Sequence, residues 1–263
     1  MDARTLRGGL AAGRRFVGTA VSLPDVGLVE LTASAVDFVW IDLEHGALST
    51  RDVQPIAIAA HAAGAAALVR VRAWDDPALG PALDAGVDGV VVPRVESAAQ
   101  AARVAERLPY PPRGTRGLAA RRASWYGRDA GPAAEPVLMV QIESIEGVGN
   151  AGTIAAVDGV DALVVGCADL SLDLEQPPDR SSEPLRIAIA HVQRAAAAAG
   201  TASGVAGPAD ADLLSELGGE LSSVFVLAAD VRIYARALGD AFCHLHGEAA
   251  HDAPEPEGTH VGT

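Results

Sequence analysis

The sequence predicts an α/β protein folded as a single TIM (β/α)8 barrel, and three observations carry that prediction. Short apolar runs alternate with helical periodicity eight times, the runs are almost free of polar residues, and the 263-residue length is close to the ~250 of one such barrel. Strands without polar alternation are buried on both faces, as in a parallel sheet covered by helices. The main rival is an open doubly wound sheet. Its glycine-rich dinucleotide fingerprint belongs after the first strand, where "GTAVSLPD" lacks it.

Taken in order, the strands are read at 16–22 (FVGTAVS), 38–44 (FVWIDLE), 66–72 (AALVRVR), 89–95 (GVVVPRV), 137–143 (VLMVQIE), 162–168 (ALVVGCA), 202–207 (ASGVAG) and 222–228 (SSVFVLA). Helical stretches lie between them. "STRDVQPIAIAAHAAG" has a cap in Ser49 or Thr50 and a stop in Gly64, and "SAAQAARVAERL" is capped by Ser97. One connection breaks the rhythm: residues 109–136 are rich in Pro, Gly and Arg, and a loop of that length in a compact barrel is functional or disordered. The domain is read as 1–246, ending in the helix "VRIYARALGDAFCHLHG". The tail 247–263 has the composition of a disordered segment.

Composition removes several function classes. All 20 Lys+Arg residues are arginine, so there is no Schiff-base lysine, no lysine-bound pyridoxal phosphate and no P-loop lysine. A net charge of −14 argues against a nucleic-acid partner and leaves anionic substrates to local cations or a metal. No apolar run reaches the ~18 residues of a membrane span. The basic stretch 1–15 is not followed by an apolar segment and cleavage site, so no secretory signal is expected. Two cysteines, Cys167 and Cys243, make no disulfide framework and fit a reducing compartment, so the cytoplasm is the expected location. Cys243, His244 and His246 imitate a metal cluster but lack a paired second half.

Barrel chemistry sits at the C-terminal ends of the strands. There the sequence places Asp42, Glu44 and His45 after strand two, Arg70 or Arg72 after strand three, Glu143 after strand five and Asp169 after strand six. A lone carboxylate at such a place also serves as a helix cap, which is the structural alternative for Asp169. Glu143 and Asp169 on adjacent strands are harder to explain that way. Two neighbouring acids repel unless a proton or cation sits between them, and oxygen ligands suit Mg2+ or Mn2+. His45 reads as a general base or water-positioning group, against the alternative of a structural histidine. An inward arginine reads as an enolate or carboxylate partner, against a structural ion pair, and strand alternation does not choose between Arg70 and Arg72. The amides of "GCAD" offer a seat for a carboxylate. Together these parts describe a small 2-oxo acid polarised by a metal, with an arginine for the enolate and a base for the proton: class II aldol chemistry without lysine.

The ordered set "FVWIDLEHG", "LVRV", "LDAGVDGVVVPRVES", "RGTRGLAARRASWYG", "VQIES" and "VDGVDALVVGCADLS" resembles the HpcH/HpaI aldolase family over about residues 16–240. The resemblance implies a phosphoenolpyruvate/pyruvate-type TIM barrel. It implies Glu143 and Asp169 as ligands of Mg2+, Mn2+ or Co2+, His45 as the acid/base or water-activating group, and Arg70 as the enolate partner. It further implies that Asp42 helps hold the histidine and that Asp84 reaches a neighbouring subunit's histidine. The pyruvate carboxylate would lie at Gly166, on the amides of Ala168 and Asp169. The implied assembly is a hexamer, a trimer of dimers exchanging their last helices, acting on a 2-oxo acid and an aldehyde.

Two departures stand out. The family pattern Gly-Pro-x-Asp-Leu-Ser has Cys167 in place of proline, and "LDLEQPPDR" supplies no following glycine. These changes loosen the turn that aims the amides and reshape the pocket wall. The expected function is cleavage or synthesis of a 4-hydroxy-2-oxo acid. The alternatives are a biosynthetic relative using oxaloacetate, citrate-synthase-like or decarboxylating, and a barrel without catalysis.

Overall fold

The computed structural model describes residues 1–128, 134–178 and 181–246. Eight parallel strands close in chain order into a barrel: β1 (Phe16–Val21), β2 (Phe38–Asp42), β3 (Ala66–Arg70), β4 (Gly89–Val92), β5 (Val137–Ile142), β6 (Ala162–Gly166), β7 (Ala202–Ala206) and β8 (Val224–Leu227). Register pairs Phe16 with Val224 and Thr19 with Leu227, so β1 and β8 leave no open edge.

The helices are α1 (Ala3–Ala11), α2 (Val26–Ala33), α3 (Thr50–Ala62), α4 (Leu79–Asp84), α5 (Ala98–Arg107), α6 (Ile145–Gly149), α7 (Ala151–Ala155), α8 (Cys167–Asp173), α9 (Glu183–Ala199), α10 (Ala211–Gly218) and α11 (Asp230–His246). Ser49 precedes α3, its N–H and O–H both donating to Asp52, and Gly64 follows the helix at φ +91°. Ser97 caps α5 in a reciprocal pair with Gln100.

The core has two layers. Inward residues of the strands, Phe16, Phe38, Trp40, Leu68, Met139 and Val164 among them, fill the barrel. Leu6 and Leu10 of α1 plug its floor from below, a role the short sequence "ARTLRGGLA" did not announce. Outward residues such as Val39, Val69, Val90 and Leu163 pack against the surrounding helices. In β1, Gly18 is required because the Phe38 ring occupies the space a Cβ would take.

Each strand ends one to three residues before its sequence-read limit. On the first four strands the cause is shared: amides at the rim are captured by carboxylates. Ser22 N donates to Asp230, Glu44 N and His45 N to Asp42, Arg72 N to Asp76, and Arg94 N to Glu143. Cys167, Ala168 and the adjoining Asp169 belong to the helix α8, not to a strand end.

Part of the long connection is ordered. Residues Arg122–Gly127 form a short 3-10 turn, and Arg122 anchors it to the carbonyls of Ala85 and Gly86 and to His61. The 247–263 tail lies outside the described residues, as do 129–133. α11 makes its main contact with β1 and leaves Tyr234, Leu238, Phe242 and Leu245 exposed.

Candidate active site

The site is built around Asp42. It ends β2 directly opposite Arg70, the last residue of β3, and takes that guanidinium with both oxygens: Nε to Oδ1 at 3.0 Å and Nη2 to Oδ2 at 2.8 Å. Oδ1 also accepts the amides of Glu44 and His45 at 3.0 and 3.3 Å, which turns the chain off the sheet and fixes where His45 begins. Burial raises the Asp42 pKa, but the Arg70 hydrogen bonds and charge and the two amides outweigh it and hold the carboxyl below its usual value. Arg70, although desolvated, is in turn kept firmly charged by its bonds to Asp42 and by nearby carboxylates. Arg72 lies beyond β3, with its half-exposed side chain turned to Asp76 at 3.8 Å, so strand alternation does not extend to it.

Glu143 follows β5 and is buried. Its Oε1 accepts from Gln141 Nε2 at 2.6 Å and its Oε2 from the Arg94 amide at 2.9 Å, the latter presented by a left-handed turn at φ 47°. Gly166 at the end of β6 has to lack a Cβ, because the Glu143 carboxylate fills that space. Asp169 follows on the first turn of α8. Its expected alternative as a helix cap is excluded: Gly166 holds the N-cap position, and Asp169 is the third helical residue. The amides of Cys167, Ala168 and Asp169 therefore open a helix whose N-cap has no side chain to serve them.

Glu44 completes a cluster of acids. Its Oε2 lies 3.3 Å from Arg70 Nη1 and 3.6 Å from His45 Nε2, yet is buried without a hydrogen bond. Burial, then the charges of Asp42 and Asp169, push Glu44 up to about 7 against the pull of Arg70. Burial, then Glu44 and Asp169, raise Glu143 to about 7 as well. Buried carboxylates at this pKa are a site with a shortage of positive charge. Among the described residues no three His, Cys, Asp or Glu side chains form a closed metal cage. What the rim offers is a two-carboxylate half-site of hard oxygen donors, which fits a divalent cation that keeps open positions for water and substrate.

Asp42, His45, Arg70, Glu143, Gly166, Cys167, Ala168 and Asp169 all line one cavity of about 300 Å3 at the C-terminal mouth. His45 stands at its edge with a largely exposed ring. Asp84 is elsewhere: it ends α4 and lines a separate surface hollow with Arg107 and Arg116. The sequence reading left out of its site set Glu44, Gln141, Trp40 and Arg232. Glu44 had its signal in the Asp-x-Glu-His spacing, and Gln141 shares a strand face with Glu143 two residues on. Trp40 also shares its face with Asp42, and its buried Nε1 has no partner among the described residues.

Comparison with known proteins places this geometry in a lineage. The sequence profile of the HpcH/HpaI aldolase/citrate lyase family matches residues 27–218. The chain is 37% identical over 174 residues to a hydroxypyruvate/pyruvate aldolase of Rhizorhabdus wittichii, covering 64% of this chain and 69% of that protein. It is 32% identical to one of Deinococcus radiodurans over 98% and 95% of the two chains. A crystal structure of an HpcH/HpaI aldolase/citrate lyase family protein from Burkholderia cenocepacia superposes with a TM-score of 0.85 at 30% identity, covering 92% of this chain and 99% of the other. With the closed barrel and the acids gathered at its rim, these matches mean that the chain belongs to the HpcH/HpaI aldolase/citrate lyase family.

Proposed function

We propose that the protein is a metal-dependent class II aldolase that makes or cleaves the carbon–carbon bond between a pyruvate-type enolate and an aldehyde. The observation that carries the reading is the pair Glu143 and Asp169, set beside Glu44 in a buried site whose acids exceed its cations. Glu143 and Asp169 hold a divalent cation, Mg2+, Mn2+ or Co2+, which supplies Lewis-acid polarisation of the 2-oxo group. The substrate carboxylate rests by Gly166 on the amides of Ala168 and Asp169, where the open helix end favours an anion. Arg70 faces the enolate oxygen with the guanidinium edge that Asp42 does not use, and Asp42 keeps it aimed. His45, held at its backbone by Asp42, moves the proton, directly or through water.

Asp84 cannot serve this role in its own chain, since it lies outside the cavity. In our reading it acts on the histidine of a neighbouring subunit, in a hexamer arranged as a trimer of dimers. The exposed row Tyr234, Leu238, Phe242 and Leu245 on α11 supports exchange of that helix between copies. Among the described residues no helix is long and apolar enough to cross a membrane, and we place the enzyme in the cytoplasm. Cys167 in the position of the family's proline lies buried as the first residue of α8, and the turn onto Asp169 forms without the proline.

The test is exchange of the pyruvate methyl protons in D2O, with Mg2+, Mn2+ and Co2+ supplied in turn and removed by EDTA before the proton spectrum is taken. Loss of the methyl signal is expected. No exchange with any of the three metals, and no turnover of oxaloacetate, would overturn the proposal. Product analysis with oxaloacetate separates aldol cleavage from decarboxylation or citrate formation at the same site.

A further inference from the structure

The long connection after α5 closes on one place. Two of its arginines, together with the last residue of α5, tie the backbone on both sides of α4, the short helix that ends on Asp84. Before the helix, Arg107 donates from Nη1 to Trp74 O at 3.4 Å and from Nη2 to Asp76 O at 3.3 Å. At its end, Arg116 donates from Nη2 to Leu83 O at 3.0 Å, and Arg122 from Nη1 to Ala85 O at 3.2 Å and to Gly86 O at 2.8 Å. The carbonyls on either side of Asp84 are each held by a guanidinium.

The local sequence needs such holding. A carboxylate at the C-terminal end of a helix faces carbonyls of its own sign, and a helix of six residues does little to fix its direction. Gly86 follows at φ +78°, a left-handed turn in which a Cβ would press on the Arg122 side chain. Arg116 is the buried member of the set: it is 8% exposed, lies over the Tyr110 ring at 4.6 Å, and its Nε has no hydrogen-bond partner. It lines the same hollow as Asp84 and Arg107. Burial works against its charge, and Asp84 supports it. A buried cation with a donor unmet is destabilising, so stability alone does not account for an arginine here.

We propose that Arg116 is a positioning residue for the reaction: it fixes the end of α4 and draws the Asp84 carboxylate, so that Asp84 meets the histidine of a neighbouring subunit at a defined place. The inference rests on the role given to Asp84 above. Arg116 does not line the cavity of its own chain, and its effect runs through Asp84. Geometry is what it supplies: a displacement of about 1 Å in a group that assists the reaction lowers a rate by up to roughly 100-fold. The long connection thereby acquires a task that neither its length nor its composition announces.

The experiment is a double-mutant cycle on pyruvate methyl exchange, followed across pH with the metal that supports it. Arg116→Met should lower the maximal rate roughly tenfold, move the acid limb of the pH profile in the same direction as Asp84→Asn does, and leave the KM for pyruvate within about twofold. Arg116→Lys should recover part of the rate. In the Asp84→Asn background the same Arg116→Met change should alter the rate by less than about twofold, because no carboxylate is left to aim. If Arg116→Met does not fold, the cycle is run with Arg116→Gln. Losses that multiply across the cycle, or no loss in the single Arg116 variant, overturn the role of Arg116, while a slow Asp84→Asn leaves the reading of Asp84 standing. An unaltered rate in Asp84→Asn overturns both, and absence of exchange in the unaltered protein overturns the aldolase reading with them.

Discussion

At the floor of the barrel Asp88 receives three donors: the amides of Ala3 and Ala67 at 3.2 and 2.8 Å and His61 Nε2 at 2.6 Å. Arg122 donates to the other ring nitrogen of His61 at 2.8 Å, so Nδ1 accepts and Nε2 donates. Close by, Asp161 takes Arg7 with both oxygens and also accepts the Leu138 amide. At the rim, buried Glu44 Oε2 accepts no hydrogen bond, and Glu143 is pushed up to about 7. The two ends of one barrel thus differ in whether their charges are satisfied. Satisfied acids at the floor fasten α1 and the long connection to the strands; acids in surplus at the rim are held ready for a ligand.

The largest expected effect is at the rim. Glu143→Gln or Asp169→Asn should reduce pyruvate methyl exchange by roughly 10^3-fold or more, without lowering the thermal midpoint of the metal-free protein. A large fall in that midpoint would mean that the rim acids are structural after all.

The floor should respond in the opposite sense. Asp88→Ala strands two amides and a histidine, and a cost of about 3 kcal/mol, or roughly 6–12 °C in Tm, is expected with exchange per folded molecule unchanged. If Asp88→Ala melts like the native protein but loses exchange, the division of labour is wrong.

The contrast also has a pH signature. Glu44 and Glu143 titrate at about 7 in the folded protein, above their ordinary value of 4.5. The folded state then holds protons that the unfolded chain has released, so their contribution is complete below pH 4.5 and disappears as pH rises through 7. The metal-free protein should therefore lose roughly 5 °C in Tm between pH 5 and 7.5, and added Mg2+ should flatten the slope. A midpoint that rises over that interval would contradict the surplus of acid at the rim. The smallest effect belongs to Arg7→Met: the Arg7–Asp161 pair is partly exposed, and about 1 kcal/mol, or roughly 2–4 °C, is expected by thermal melting.

Much of this molecule is legible in its sequence, for reasons that differ by region. The eight strands declare themselves because burial on both faces leaves almost no polar residue in them. The acids at their ends stand out against that background. Arg72 was less legible, because it continues an apparent strand alternation that Asp76 in fact ends by capturing its amide. Cys167 and Ala168 read as strand residues because nothing in "VVGCAD" marks the change from β6 to α8, where glycine serves as N-cap without a side chain. Arg232 was not legible at all: it is far in sequence from the other site residues, and barrel closure alone brings it to them. The plug α1 escaped notice because its two buried leucines acquire meaning only once a barrel mouth of the right width exists.

The joint between Ser22 and Asp230 carries a consequence for how the chain acquires its shape. Three hydrogen bonds link residues 208 positions apart, beside the pairing of β1 with β8. Contacts of such sequence separation form late and set the pace of folding. On a ribosome that delivers the chain from its N-terminus, β1 must wait for this partner until β8 has been made, and the part of the cavity mouth supplied by β8 and the start of α11 is assembled after the rest of the rim. Time, as well as geometry, separates the acids of the rim from the residues that face them across the cavity.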